Sequence, residues 1–143
     1  MTGQALKSLD DRTAIVEALA VFAAATDARD WETIAGLLTP HSRAYSADGP
    51  DAVVARMQSF LGGVGPTQHL LGNHRVTVDG DTAVSLTYAR VHHVGAGEME
   101  GSFYECLGEY TDHWLRTEAG WRMTYRTFEI RISLGDWAVL RPA

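Results

Sequence analysis

The sequence predicts an α+β fold, and three observations carry that reading. Helical periodicity is confined to the stretch before Gly62, strand-like alternation fills the chain after His69, and the break Gly62-Gly63-Val64-Gly65-Pro66 separates the two. The expected arrangement is three N-terminal helices packed on a curved, mostly antiparallel sheet, within a single domain spanning residues 1–143.

The first helix is expected from about Asp11 to Asp27, with Ser8, Asp10 and Asp11 as N-cap candidates. Ile15, Leu19, Phe22 and Ala23 repeat at helical spacing, and Val16 and Ala20 widen the stripe. A short second helix, Trp31 to Leu38, is ended by Pro40, and Arg43 to Ser46 reads as a short strand. Asp48-Gly49-Pro50 turns into a third helix over Asp51 to Leu61, with proline at its first position. His69 to Val78 and Thr82 to Val94 flank Asp79-Gly80-Asp81, a hairpin signal. Phe103 to Arg116 and Trp121 to Ser133 flank Glu118-Ala119-Gly120.

Composition bounds the function. The chain is 45% apolar and 21% charged, with a formal net charge of -6, which speaks against a nucleic-acid partner. A single cysteine, Cys106, excludes an internal disulfide and a thiolate metal cluster, and its mid-strand position predicts an inert thiol. No signal-like or membrane-spanning run is apparent, so a cytoplasmic protein with no membrane partner is expected. The six histidines lack metal-motif spacing, and no P-loop, Rossmann turn or nucleophile elbow is present. No metal or cofactor is expected.

Asp27 continues the apolar stripe of the first helix, four residues after Ala23. A carboxylate there is either paired and tuned for proton transfer, or sits at the frayed helix end in water. His69, Leu71 and Asn73 share a face of one strand, so His69 is either a cavity base or a histidine bonded at a strand edge. His92 and His93 point to opposite faces, and alternation does not decide which is inside. In the long strand, Glu105, Glu109, Thr111 and His113 oppose Tyr104, Cys106, Tyr110 and Trp114. Arg126, with Phe128 and Ile130 on its face, is either an anchor for a buried carboxylate or an outward charge.

Four segments together carry a resemblance. Thr26-Asp27-Ala28-Arg29-Asp30-Trp31, Thr67-Gln68-His69-Leu70-Leu71-Gly72, Arg90-Val91-His92-His93, and His113-Trp114 followed by Gly120-Trp121-Arg122 resemble, in order and spacing, the SnoaL-like branch of the nuclear transport factor 2-like (NTF2-like) superfamily. Its scytalone dehydratases are closest in motif. The resemblance implies a cone-shaped fold and a cofactor-independent acid–base pocket. Asp27 and His69 match the family's acid–base pair, and His93 matches a second pocket histidine. Glu109 and Thr111 match small polar pocket residues, and Arg126 matches the pocket arginine of the dehydrochlorinases. Two departures are visible: Thr26 replaces a tyrosine, and Tyr45 is one residue out of step with another.

The expected function is a dehydration or related elimination on a small, cyclic, partly hydrophobic metabolite. Asp27 would orient His69, His69 would take the proton, and His93 or Tyr88 would donate to the departing oxygen. Arg126 would steady negative charge, and Tyr45, Tyr88, Glu109, Thr111, Arg126 and Phe128 would contact the substrate. An isomerase or polyketide-type cyclase using the same pair, and a non-catalytic binding or assembly subunit, are the alternatives. A homodimer or homotrimer is expected, to cover a sheet face carrying Tyr104, Tyr110 and Trp114.

Overall fold

The structure, a computed structural model, describes residues 2–140. Its order is α1 (Gly3–Ala28), α2 (Trp31–Gly36), β1 (Leu38–Ala44), β2 (Ala47–Asp48), α3 (Pro50–Leu61), β3 (Thr67–Asp79), β4 (Thr82–Val94), β5 (Phe103–Thr117) and β6 (Gly120–Gly135), closed by a 3₁₀ turn at Trp137–Leu140. The six strands form one sheet in the order β2-β1-β6-β5-β4-β3, antiparallel except for the β1–β6 pair. The α+β class holds, but the helices are not three comparable N-terminal elements. The first has 26 residues, the second has 6, and two strands separate the second from the third.

α1 starts eight residues earlier than expected, because Thr2 caps it by accepting the Ala5 N–H at 3.2 Å. Residues 3–10 form an exposed overhang. Asp11 is therefore no cap. It lies buried inside the helix, held by both arms of the Arg116 guanidinium at 2.6 and 2.9 Å and by the Trp121 indole N–H at 3.3 Å. Ile15, Leu19, Phe22 and Ala23 face the core as the spacing requires, Val16 is half-buried, and Ala20 is exposed. α2 ends before Leu38 because that residue already begins β1. Pro40 is tolerated within this strand at the irregularity between Leu38 and Arg43.

Two of the sheet's register shifts decide which side chains β3 and β6 present around the site. In β3 the shift between Gly72 and Arg75, with Asn73 at φ 51°, moves the inward set from His69 and Leu71 to Val76 and Val78. In β6 the shift opposite His113 and Trp114 moves it from Trp121 and Met123 to Arg126 and Phe128. Asn73 thus turns outward instead of sharing the face of His69. One core cluster centres on Ile15, Leu19, Phe22, Trp114, Trp121 and Met123. A second centres on Leu61, Val91, Tyr104, Tyr110 and Leu140.

Tyr104, Tyr110 and Trp114 lie on the inner face, at most 4% exposed and packed within these clusters of the same chain. They need no partner chain to cover them, which removes the ground on which an oligomer was expected. Among the described residues, no helix is long and apolar enough to cross a membrane.

Candidate active site

The site is assembled where α1 ends against the start of β3. Arg29 stops the helix in the left-handed conformation at φ 58°, a position that costs a non-glycine residue about 1 kcal/mol or more. Its guanidinium offsets that cost through three bonds, to the Thr26 carbonyl (2.9 Å), the Gly65 carbonyl (3.0 Å) and Thr67 Oγ1 (2.8 Å). The helix end is thereby tied to the first residue of β3, and the preceding turn carries Asp27 to His69.

Asp27 receives three hydrogen bonds. Its Oδ1 accepts from His69 Nδ1 at 2.6 Å and from Thr67 Oγ1 at 2.9 Å, and its Oδ2 accepts from the His69 backbone N–H at 3.0 Å. Burial pushes the Asp27 carboxyl up, but the bonds from His69 and Thr67 outweigh it and leave the group below its ordinary value. An ionised carboxylate accepts only, so His69 Nδ1 carries the proton of that bond, and in the neutral ring Nε2 is the nitrogen with the lone pair. His69 lines a cavity of about 330 Å³ between α3, the inner sheet face and the 3₁₀ turn.

His93 is the inward member of the His92-His93 pair, 5% exposed, and its Nδ1 donates to the Tyr104 carbonyl at 2.9 Å. Burial lowers its pKa, so the ring is neutral with Nε2 as an acceptor. Tyr45 and Phe128 also line the cavity, together with Thr26, Phe60, Tyr110 and Trp137. His92 points outward to Glu105 at 2.9 Å.

Three expected site residues lie elsewhere. Tyr88 is 43% exposed on the outer face, flanked by the Arg75 and Arg131 guanidiniums. Glu109 is its cross-strand neighbour and pairs with the same two arginines. Thr111 shares that outer face. The cause is strand parity: Tyr104, Cys106, Tyr110, Asp112 and Trp114 are the inward set of β5, so the odd-numbered residues from Leu107 to Leu115 point away from the cavity.

Arg126 faces inward, but its charge is already engaged. Asp112 takes both of its arms at 2.7 and 3.0 Å, with the pair almost fully buried. Burial alone would lower the guanidinium pKa; the Asp112 carboxylate instead holds it above the ordinary range. The Phe22 and Tyr110 rings lie 4.5 and 3.8 Å away, and Tyr45 Oη accepts from Nη1 at 3.4 Å. Arg126 is therefore the anchor of a buried carboxylate, at a small inner extension of the site that it shares with His69, Tyr45 and Tyr110. Asp112 was not singled out in the sequence. The need of an inward arginine for a counter-ion on the adjacent strand was the available signal. The orienting roles of Arg29 and Thr67 were likewise missed, since they depend on a helix end meeting a distant strand.

The model of the SnoaL-like domain matches residues 7–127. An uncharacterized protein of Mycobacterium tuberculosis is 32% identical over 124 residues, which cover 82% of this chain and 84% of that relative. Among solved structures, a hexachlorocyclohexane dehydrochlorinase of Novosphingobium barchaimii superposes with a TM-score of 0.80 at 14% identity, covering 91% of this chain and 92% of that one. A candidate scytalone dehydratase of Novosphingobium aromaticivorans gives 0.79 at 19% identity, covering 89% and 88%. At these identities the structural likenesses speak for the fold alone, and the matched domain leads to one conclusion: the chain belongs to the SnoaL-like family.

Proposed function

We propose that the protein is a cofactor-independent acid–base lyase that eliminates water, or a comparable leaving group, from a small cyclic, partly hydrophobic substrate. The observation that carries this reading is the 2.6 Å contact between Asp27 and His69, which leaves His69 Nε2 as a free base in a largely apolar cavity. In the proposed reaction His69 takes a proton from the carbon beside a carbonyl, and Asp27 stabilises the imidazolium that forms. The electron pair then moves to expel hydroxide from the next carbon, which leaves as water after recovering the proton from His69. The dehydrochlorinase and dehydratase neighbours run in the same direction, elimination from a substrate carbon.

The test is proton exchange and water loss on cyclic β-hydroxyketones in deuterium oxide, followed by NMR. Wild-type protein should exchange the proton beside the carbonyl and release the unsaturated product. His69→Ala should lower both by about 10²–10⁴, the worth of a positioned general base, with the fold intact. Equal exchange by His69→Ala would remove the reading. Exchange without loss of water would point instead to an isomerase or cyclase using the same pair.

Self-association belongs to the proposal on a new ground. The outer sheet face exposes Leu70, Tyr88, Ile132 and Leu134 beside alternating arginines and glutamates, a surface that can complement a second copy of itself. A monomer by sedimentation at micromolar concentration would remove this part.

A further inference from the structure

The proposed elimination needs a hydrogen-bond donor at the substrate oxygen, and most polar groups of the cavity cannot supply one. His69 has committed its Nδ1 proton to Asp27, and His93 has committed its own to the Tyr104 carbonyl, so His93, and His69 in the form that acts as base, each offer the cavity an acceptor only. Thr26 gives its hydroxyl proton to the Phe22 carbonyl at 2.8 Å. Tyr104 Oη shares a hydrogen bond with Ser133 Oγ at 3.0 Å, in which either hydroxyl can be the donor. Ser46, Arg56 and Trp137 also line the cavity, but all three are solvent-exposed, and Cys106 offers only a weak thiol donor. Two phenols not tied to another hydroxyl are left on its walls, Tyr45 and Tyr110.

Their settings differ. Tyr45 sits at φ 53° in the turn between β1 and β2, only half-buried, and its oxygen already accepts from Arg126. Tyr110 lies on the rigid middle of β5, 4% exposed, with the Arg126 guanidinium 3.8 Å from its ring and the Phe128 ring 4.4 Å away. Its hydroxyl makes no hydrogen bond among the described residues. Nor is it sealed in the core, because Ser42 Oγ is the one fully buried side-chain polar atom there that lacks a partner. A phenol held this firmly and left unpaired toward a cavity is a preorganised donor. The cation against its ring draws electron density from it and strengthens the O–H as a donor.

We infer that Tyr110 is a further catalytic residue, the one that donates a hydrogen bond to the carbonyl oxygen of the bound substrate while His69 draws the neighbouring proton. The assignment to catalysis rests on the proposed function; the contact itself does not. Burial keeps the phenol protonated well beyond its ordinary range, so it remains a donor wherever His69 is a base. The group does not transfer its proton: it stabilises the charge that develops on the carbonyl oxygen.

The experiment uses 1-tetralone labelled with carbon-13 at the carbonyl. Binding is read from tryptophan fluorescence, since Trp137 lines the cavity, and the carbonyl stretch is read from infrared difference spectra. Wild-type protein should bind the ketone and lower its stretching frequency. Tyr110→Phe should abolish the lowered band and weaken binding about tenfold, the worth of one hydrogen bond. Its thermal midpoint should be unchanged or raised, because the hydroxyl it loses had no partner. Tyr45→Phe and His69→Ala should both keep the lowered band, so a failure of the base assignment and a failure of the donor assignment are separable. The inference is overturned if Tyr110→Phe keeps the lowered band, if Tyr45→Phe alone removes it, if Tyr110→Phe melts several degrees lower, or if the wild type does not bind the ketone at millimolar concentration.

Discussion

The Arg29 guanidinium donates to Thr67 Oγ1 at 2.8 Å, and this one contact fixes where the proton of Thr67 points. With its oxygen occupied by that N–H, the hydroxyl gives its own hydrogen to Asp27 Oδ1 at 2.9 Å. The chain Arg29, Thr67, Asp27 therefore ends on a carboxylate that holds the His69 Nδ1 proton in place.

Thr67→Val keeps the shape and removes the link. It should raise the Asp27 pKa, since one of the bonds holding the carboxylate ionised is lost. Nitrogen-15 NMR should then show part of the His69 proton moving from Nδ1 to Nε2, and Thr67→Ser should restore the wild-type spectrum. A spectrum unchanged by Thr67→Val would show that Asp27 and His69 hold the tautomer unaided.

Stability should fall with acid in two steps. His93 and His74 both have pKa values lowered by burial, so below the ordinary histidine value of 6.5 the unfolded chain takes up protons that the folded chain refuses. The stabilisation is complete above that value and is lost as pH falls toward the folded-state pKa values. Asp27, whose folded-state pKa is also lowered, adds a second loss below its ordinary 3.8. Urea midpoints at about pH 7.5 and about pH 5 should differ in that direction, and His93→Gln should flatten the difference. Equal slopes for the variant and the wild type would show that His93 does not resist protonation.

Asp112→Asn should destabilise the fold by about 3–5 kcal/mol, because the Arg126 cation would stay buried without its counter-ion. Replacing both partners by apolar residues of similar volume should cost far less. Chemical denaturation of the single and double variants separates the two cases, and a single variant as stable as wild type would show that water reaches Arg126.

Ser46→Gly should stabilise the protein by about 1 kcal/mol. Tyr45 and Ser46 form a two-residue hairpin turn with φ of 53° and 62°, a conformation glycine adopts freely. A midpoint that does not rise would mean that the Ser46 side chain contributes contacts worth as much as the strain.

The sequence made the interior stripe of α1 legible because a helix repeats without interruption from Ile15 through Phe22 to Asp27. The placement of Asp27 beside His69 followed from that stripe and from the resemblance. Strand parity was harder. Alternation in β3 cannot reveal the extra residue at Asn73, and alternation in β6 cannot reveal the shift after Met123. In β5 the ordinary reading, with charges outward and aromatics inward, was the right one. Placing Glu109 and Thr111 in the cavity carried the family pattern over one residue out of phase. Tyr88 failed for a related reason, since its strand alternates cleanly without showing which face is covered.

The two register shifts also mark a border in what the molecule can tolerate. On one side lie Trp114, Trp121 and Met123, which lock the sheet to α1; on the other lie Tyr104, Cys106, Tyr110 and Phe128, which wall the cavity. A substitution on the cavity side alters what fits inside while leaving the packing that holds the sheet to its helix untouched. A descendant lineage could therefore trade one ligand for another by single changes at Cys106 or Phe128, retaining the same Asp27–His69 contact in a reshaped chamber.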